Sequence, residues 1–319
     1  MNKQPVLSIC IPIYNRIVFL KRHLNQYLKC KDLFKEKVHL FISDNCSEDD
    51  LQSLVKEYSS QGLNLEYSRN TENIGPDGNF IKCFNSARGK YTWLLGSDDI
   101  PDDGFIETLV DVLETHDYGY LFLNNYCNDK QLTDYCDVGD ILQKINVWIT
   151  FMSANIFKTE VVKNVKGKDY LGTYLIQVPY FLEGILSGQS NAILNYTWIQ
   201  KGNDAANNGG YNLFKVFVDN LLAIVYDKVL KQQINLDCYE RFKKSIYCNF
   251  IRRYVDSLLI FRDEDMRKSF KTEGAMRILM KHYGWKPYFY FWTAITVASR
   301  YFHKIFPYRN RRIDSEYNN

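Results

Sequence analysis

Four apolar runs in the N-terminal third of this chain alternate with stretches of helical spacing, and each run stops at a cluster of polar side chains. Val6-Leu7-Ser8-Ile9-Cys10-Ile11-Pro12 reads as a buried strand closed by Pro12, which has no N–H to continue a ladder. Phe19, Leu20, Leu24 and Leu28 mark one helical face within residues 16–28. Residues 38–43 read as a second strand, and a helix follows from Ser47, its cap, to Tyr58. A third strand is expected over 63–67, a helix over 79–87 and a fourth strand over 91–95. This alternation predicts an α/β fold, a mostly parallel sheet with helices on both faces. Further strands are expected over 118–124 and 151–157, and helices over 214–230, 238–261 and 273–282. The Asn- and Gly-rich stretch 203–210 reads as a loop. The expected organisation is one α/β domain over 1–210 and a helical C-terminal region over 211–319.

A parallel sheet gathers the C-terminal ends of its strands on one edge, where ligands bind. Here those ends are Pro12-Ile13-Tyr14-Asn15-Arg16, Asp44-Asn45-Cys46-Ser47, the stretch from Asn70 to Asn79, and Ser97-Asp98-Asp99. The last is the sharpest. Trp93-Leu94-Leu95-Gly96 runs almost directly into two adjacent carboxylates, which repel each other and resist burial. Two readings fit this pair. One is an acidic helix start, with Asp102 and Asp103 ahead of a helical pattern over 105–113. The other is an oxygen-only site for Mg2+ or Mn2+, hard ions that neutralise phosphate. Turn and cap chemistry explains any one polar end alone. Four on one edge favour a nucleotide site. No glycine-rich phosphate loop is present, which leaves a metal at the Asp pair to neutralise a pyrophosphate. Asp44 suits a pyrimidine ring N–H or a ribose hydroxyl, and Tyr14 offers a stacking face.

A formal charge of +3 is too small to make nucleic acid the main partner. Eight cysteines without CxxC spacing and five scattered histidines give no zinc signature, and point to reduced thiols in a cytoplasmic protein. The apolar start, residues 6–13, is too short and Pro-interrupted to serve as a signal peptide.

Taken together, these residues resemble the family 2 glycosyltransferases, which have the GT-A (Rossmann-like) fold. The resemblance covers about residues 5–115. It rests on Pro12-x-Tyr14-Asn15-Arg16, Ser43-Asp44-Asn45-x-Ser47-x-Asp49, Asn73-x-Gly75, and Gly89-Lys90-Tyr91-x-Trp93 leading to Asp98-Asp99. The run from Asn73 to Phe80, the run from Gly89 to Asp99 and Ser153-Ala154-Asn155-Ile156-Phe157-Lys158 look most like the abequosyltransferase-type branch. The resemblance implies an inverting, metal-dependent transferase using Mn2+ or Mg2+. It would move a sugar from a UDP or CDP donor to a polyprenyl-diphosphate-linked glycan in bacterial O-antigen or capsule synthesis.

Residue by residue, it implies that Asp44 contacts the base, with Pro12 and Tyr14 lining its pocket. Asn15, Arg16, Asn73, Gly75 and Asn79 fall in the donor loops. Asp98 would hold the ribose or a metal-bound water, and Asp99 the metal. Two departures stand out. Asn79-Phe80-Ile81 replaces the usual Ala-Arg-Asn run, leaving Arg16 or Lys82 to stand in for its arginine, and Ser97 stands where many relatives have a third Asp. For the general base the choice is Glu183, whose apolar neighbours would raise its pKa, with Asp169 second. Alternatives are a UDP-hexose or UDP-N-acetylhexosamine transferase for capsule or lipooligosaccharide, and a catalytically silent assembly partner.

Aromatic residues make up 15% of the chain and crowd towards its C-terminus. Residues 288–299 are the longest uncharged apolar run there, too short to span a bilayer. With Trp285 before it and Arg309, Arg311 and Arg312 after it, residues 284–312 are expected to lie on the inner face of the cytoplasmic membrane.

Overall fold

A computed structural model describes residues 4–188, 190–199, 210–260 and 270–305. The chain forms two compact units, one of residues 1–208 with 220–243, the other of 209–219 with 244–319. The first is built on an eight-stranded sheet. Its strands are β1 (Leu7–Ile13), β2 (Val38–Asp44), β3 (Glu66–Arg69), β4 (Tyr91–Leu94), β5 (Tyr120–Asn124), β6 (Leu132–Tyr135), β7 (Asn155–Lys158) and β8 (Asn191–Asn195). They lie in the order β3-β2-β1-β4-β7-β5-β8-β6. This is the expected GT-A-type α/β architecture, with two antiparallel insertions: β7 runs against β4 and β5, and β6 runs against β8.

Every residue of β1 is buried, as an apolar strand covered on both faces must be. Its parallel neighbours are β2 on one side and β4 on the other, so the strand order reverses at β1 and opens a crevice at the C-terminal edge. Ile13 pairs with Asp44, and Asp44 with Arg69, which sets three strand ends level on that edge. Trp93 of β4 is fully buried and packs edge-on against Trp198, ring centres 5.5 Å apart. It also packs on Phe105, which opens a helix over Phe105–Thr115. These aromatic contacts anchor the strand that delivers Asp98 and Asp99.

Several boundaries differ from expectation. The third strand begins at Glu66, and the stretch expected as a strand over 151–157 starts as a short 3-10 turn, Met152–Ala154, before β7. The helix Leu51–Ser60 is capped by Asp50, which accepts the Ser53 N–H. Ser47 is not its cap; its hydroxyl accepts the Asn15 N–H instead. The loop expected at 203–210 lies almost wholly outside the described residues.

In the second unit, Tyr247 packs among Tyr283, Tyr288 and Phe289. The helix Pro287–Ile305 buries Phe289 and sets Trp292 against Arg252, 4.5 Å from guanidinium carbon to ring centre. Tyr290, Phe291 and Ile295, on its opposite stripe, are exposed, as is Trp285 ahead of it. No described helix is long and apolar enough to cross a membrane. Arg309, Arg311 and Arg312 lie outside the described residues.

Candidate active site

The Asp98–Asp99 end of the crevice is a clamp between two strands. After β4 the chain turns at Gly96, whose N–H donates to Ser153 Oγ at 2.8 Å. That hydroxyl donates in turn to Asp99 Oδ2 at 2.5 Å, and the Ser153 carbonyl accepts the Trp93 indole N–H at 2.7 Å. A Cβ on Gly96 would stand 2.6 Å from Asp99 Oδ2, so any side chain there would push that carboxylate out of its present position. Burial pushes the Asp99 carboxyl up to about 6; Asp98 beside it adds to the rise, while the Ser153 hydrogen bond and Arg16 oppose it.

Beneath this loop lies His23, fully buried on α1 (Ile17–Lys29). Its Nε2 meets the Ser97 carbonyl at 3.1 Å and its Nδ1 meets the Tyr27 hydroxyl at 3.0 Å. A carbonyl only accepts, so Nε2 carries the hydrogen and Nδ1 accepts from Tyr27. Burial lowers this imidazole to about 4 despite those bonds and despite Asp98. Across the crevice Arg16, from the end of β1, reaches Asp98 Oδ1 at 3.0 Å and Ser97 Oγ at 3.2 Å.

The other side of the crevice is walled by amides. Asn45 is buried. Its carbonyl oxygen accepts from Asn70 Nδ2 and the Ile74 N–H, and its amide nitrogen donates to Asn73 Oδ1 and the Gly75 carbonyl. Asn79 is also buried and exchanges hydrogen bonds with the Ser43 hydroxyl and carbonyl. Gly75 opens the helix α2 (Gly75–Ser86) with φ +74°, a backbone region glycine enters without strain. Asn15 and Cys46 hold similar left-handed conformations, φ 51° and 64°, the kind of local strain that clusters at functional sites.

Asp44 is fully buried, and both of its oxygens are engaged. Oδ1 accepts the Ser47 N–H at 2.8 Å; Oδ2 accepts from Tyr67 Oη at 2.7 Å and Arg69 Nη1 at 2.9 Å. Burial alone would raise this carboxyl, but the bonds from Ser47 and Tyr67 and the Arg69 charge outweigh it and hold it below the usual carboxylate range. Tyr14 stands exposed next to the crevice.

Residues 8–159 match the family model described as Glycosyl transferase family 2. This region is a family 2 glycosyltransferase domain. The abequosyltransferase RfbV of Salmonella typhimurium is 30% identical over 145 residues, which cover 45% of this chain and 41% of that protein. The chain thus spans about two fifths of that curated relative. Among solved structures, the fold is similar to S. aureus TarS 1-349 in complex with UDP-GlcNAc (TM-score 0.60, 15% identity, 87% of this chain and 80% of that one). It is also similar to the mannosyltransferase PcManGT of Pyrobaculum calidifontis with GDP-Man and Mn2+ (TM-score 0.52, 14% identity, 96% and 89%).

Within the glycosyltransferase domain, Pro12, Tyr14, Asn15, Arg16, Asp44, Asn73, Gly75, Asn79, Asp98 and Asp99 all come to the C-terminal edge of β1–β4. Asn79 serves there as a buried brace. Arg16 is committed to Asp98, and Lys82 donates to Asn70 Oδ1 at 2.6 Å. Glu183 requires a correction. It is paired with Lys228 of the helix Leu221–Leu230, an ammonium only 3% exposed, and so is not a carboxylate isolated among apolar groups. Its neighbour Gly184 packs on Gly119 ahead of β5, towards the sheet edge opposite the site. Asp169 is exposed in a 3-10 turn (Gly167–Tyr170), and the following Gly172 N–H bonds Asp77 of α2 at 2.9 Å, tethering that loop to the C-terminal edge of the sheet.

The oxygen-only pair Asp98 and Asp99 suits a hard divalent ion. No group of three or more His, Cys, Asp or Glu able to hold a metal occurs among the described residues. An ion here would therefore draw its remaining ligands from water and donor phosphates, as Mg2+ sites commonly do. The raised Asp99 carboxyl follows first from desolvation and second from the charge of Asp98 beside it.

Proposed function

We propose that this protein is an inverting, metal-dependent glycosyltransferase. In this reading it moves a sugar from a nucleotide diphosphate donor to a lipid-linked oligosaccharide of a bacterial surface polysaccharide. The observation that carries the reading is the half-buried Asp99, clamped by Ser153 at the mouth of the β1–β4 crevice within a family 2 glycosyltransferase domain.

The nucleotide lies along the β1–β2–β3 ends, its base between Tyr14 and the Asp44–Arg69 pair and its ribose near Asp98. Asp99 and Asp98 would hold Mn2+ or Mg2+, which would supply positive charge for the departing diphosphate. The acceptor hydroxyl attacks the anomeric carbon from the face opposite the diphosphate; the new C–O bond forms as the bond to the diphosphate breaks. Asp169, exposed and on a loop tied to this edge, takes the hydroxyl proton. The exposed Trp285, Tyr290, Phe291 and Ile295 dock the protein on the cytoplasmic face of the membrane, where a polyprenyl-linked acceptor resides.

The test is a donor screen. UDP-, CDP-, GDP- and dTDP-sugars are each incubated with the protein, Mn2+ and membrane lipid extract. Manganese-dependent release of one nucleotide diphosphate, abolished by Asp99→Asn, is expected. Release that is indifferent to metal and to Asp99→Asn would refute the mechanism.

A further inference from the structure

On the far side of β4 from the nucleotide loops there is a second cavity, of about 170 Å³, lined by Phe122, Asn124, Tyr126, Trp148, Phe151 and Ala154 among others. Strand order places it. β4 and β5 both run antiparallel to β7, so their C-terminal ends share one edge, and the Asp98–Asp99 loop stands between this cavity and the β1–β3 ends. Phe151 and Ala154 flank Ser153, the residue that clamps Asp99.

We propose that this cavity is a sugar subsite for the acceptor glycan; the assignment to an acceptor rests on the glycosyltransferase reading above. Tyr126 and Trp148 are both exposed, and their rings stand 5.1 Å apart at 51°, cupped rather than closed on each other. They leave apolar faces in water at the mouth of an apolar hollow. Such walls, with a few placed polar groups, are the usual make-up of a small-ligand site.

The polar group is Asn124. Its amide nitrogen donates to Asn195 Oδ1 at 2.8 Å, and its carbonyl oxygen accepts the Tyr126 N–H at 3.3 Å. One amide hydrogen and one lone pair remain for a ligand. A pyranose ring matches this pairing, because it has a C–H face for the rings and a rim of hydroxyls for the amide. An alkyl chain would satisfy only the rings.

The platform is also held in place. Trp148 sits in a 3-10 turn, Asn146–Thr150, entered through Asn146 at φ 55°. Its carbonyl accepts the Phe151 N–H at 3.0 Å. A sugar seated here would lie across the metal end from the donor, the side from which an acceptor must approach.

The test uses methyl hexopyranosides (gluco, galacto, manno and N-acetylgluco) followed by saturation-transfer NMR, with geranyl phosphate as a lipid probe. Binding of UDP and CDP with Mn2+ is measured calorimetrically on the same samples. At least one glycoside is expected to bind wild type through its C–H face. Trp148→Ala should weaken it about ten-fold or more while leaving nucleotide affinity unchanged. Tyr126→Ala and Trp148→Phe carry the comparison if Trp148→Ala does not fold. The proposal is overturned if no glycoside binds, if glycoside binding ignores all three variants, or if only geranyl phosphate responds to them. Trp148-dependent glycoside binding without any nucleotide binding would keep a sugar site but sink the transferase reading and, with it, the acceptor role.

Discussion

His23 and Asp99 touch the same short loop with opposite demands on a proton, and their effects on stability should partly offset each other in mild acid. His23 stays neutral when folded, down to about 4, whereas its free value is 6.5. Its contribution is therefore present above 6.5 and lost as pH falls towards 4; between about pH 7 and about pH 5 the loss is about 2 kcal/mol. The groups facing it are the Ser97 carbonyl, the Tyr27 hydroxyl and Asp98. Asp99 runs the other way. Its folded value near 6 exceeds the free value of 3.8, so its contribution is full below 3.8 and lost as pH rises through 6. Over the same interval, acidification returns about 1 kcal/mol. Ser153, Asp98 and Arg16 face this carboxyl. Asp99→Asn removes the gain and leaves the His23 loss unopposed. Urea unfolding, without metal, can be followed by tryptophan fluorescence because Trp93 and Trp198 are buried in this unit. Relative to wild type, the Asn variant should lose about 1 kcal/mol more on going from pH 7 to pH 5. His23→Gln should show the reverse, gaining on wild type in acid. A wild-type-minus-Asn difference that is the same at both pH values would mean Asp99 titrates as an ordinary carboxylate, and the account of the buried clamp would fail.

Three further outcomes are expected. Ser153→Ala should lower kcat/KM by about 10- to 100-fold by releasing Asp99, and weaken the stabilisation that Mn2+ gives in thermal melts; unchanged kinetics would argue against the clamp. Glu183→Gln leaves the buried Lys228 ammonium unpaired and should cost about 3–5 kcal/mol of stability in urea titration, whereas Glu183→Gln with Lys228→Met should recover most of it; a mild single variant would contradict a structural role for the pair. Phe291→Asp with Ile295→Asp should release the protein from anionic vesicles in co-sedimentation while leaving the fold intact, because both side chains are exposed. Cutting the chain after Tyr283 would be a poorer test, since it removes Phe289, which packs on Tyr247.

The strand ends were readable because a buried parallel strand is a continuous apolar run, and its end is marked wherever polar chemistry begins. The antiparallel insertions were harder. β6 and β7 are each four residues long, and β6, Leu-Thr-Asp-Tyr, has no apolar run to announce it. Ser153 was visible as part of a motif, but its grip on Asp99 needs β7 to lie beside β4, a long-range pairing that local spacing does not encode. Two residues overlooked in the sequence did leave a signal. Tyr67 and Arg69 are two apart on a strand and so share a face, the face that meets Asp44 at the end of β2. Likewise His23 falls between Leu20 and Leu24 on the buried stripe of its helix, where a polar ring needs a partner. Glu183 was misread because its partner, Lys228, comes from a helix far along the chain.

The amide wall described above has a consequence for enzymology. Asn45, Asn70, Asn73 and Asn79, with Ser43, shape the β2–β3 side of the crevice through groups that neither gain nor lose a proton across the working range of an enzyme. Carboxylates in the same places would have tied the shape of that wall to acidity. As built, the shape of that wall should stay level across a pH profile, while every step that depends on the Asp98–Asp99 loop bends with it. The two halves of one crevice can then be told apart by a kinetic curve alone.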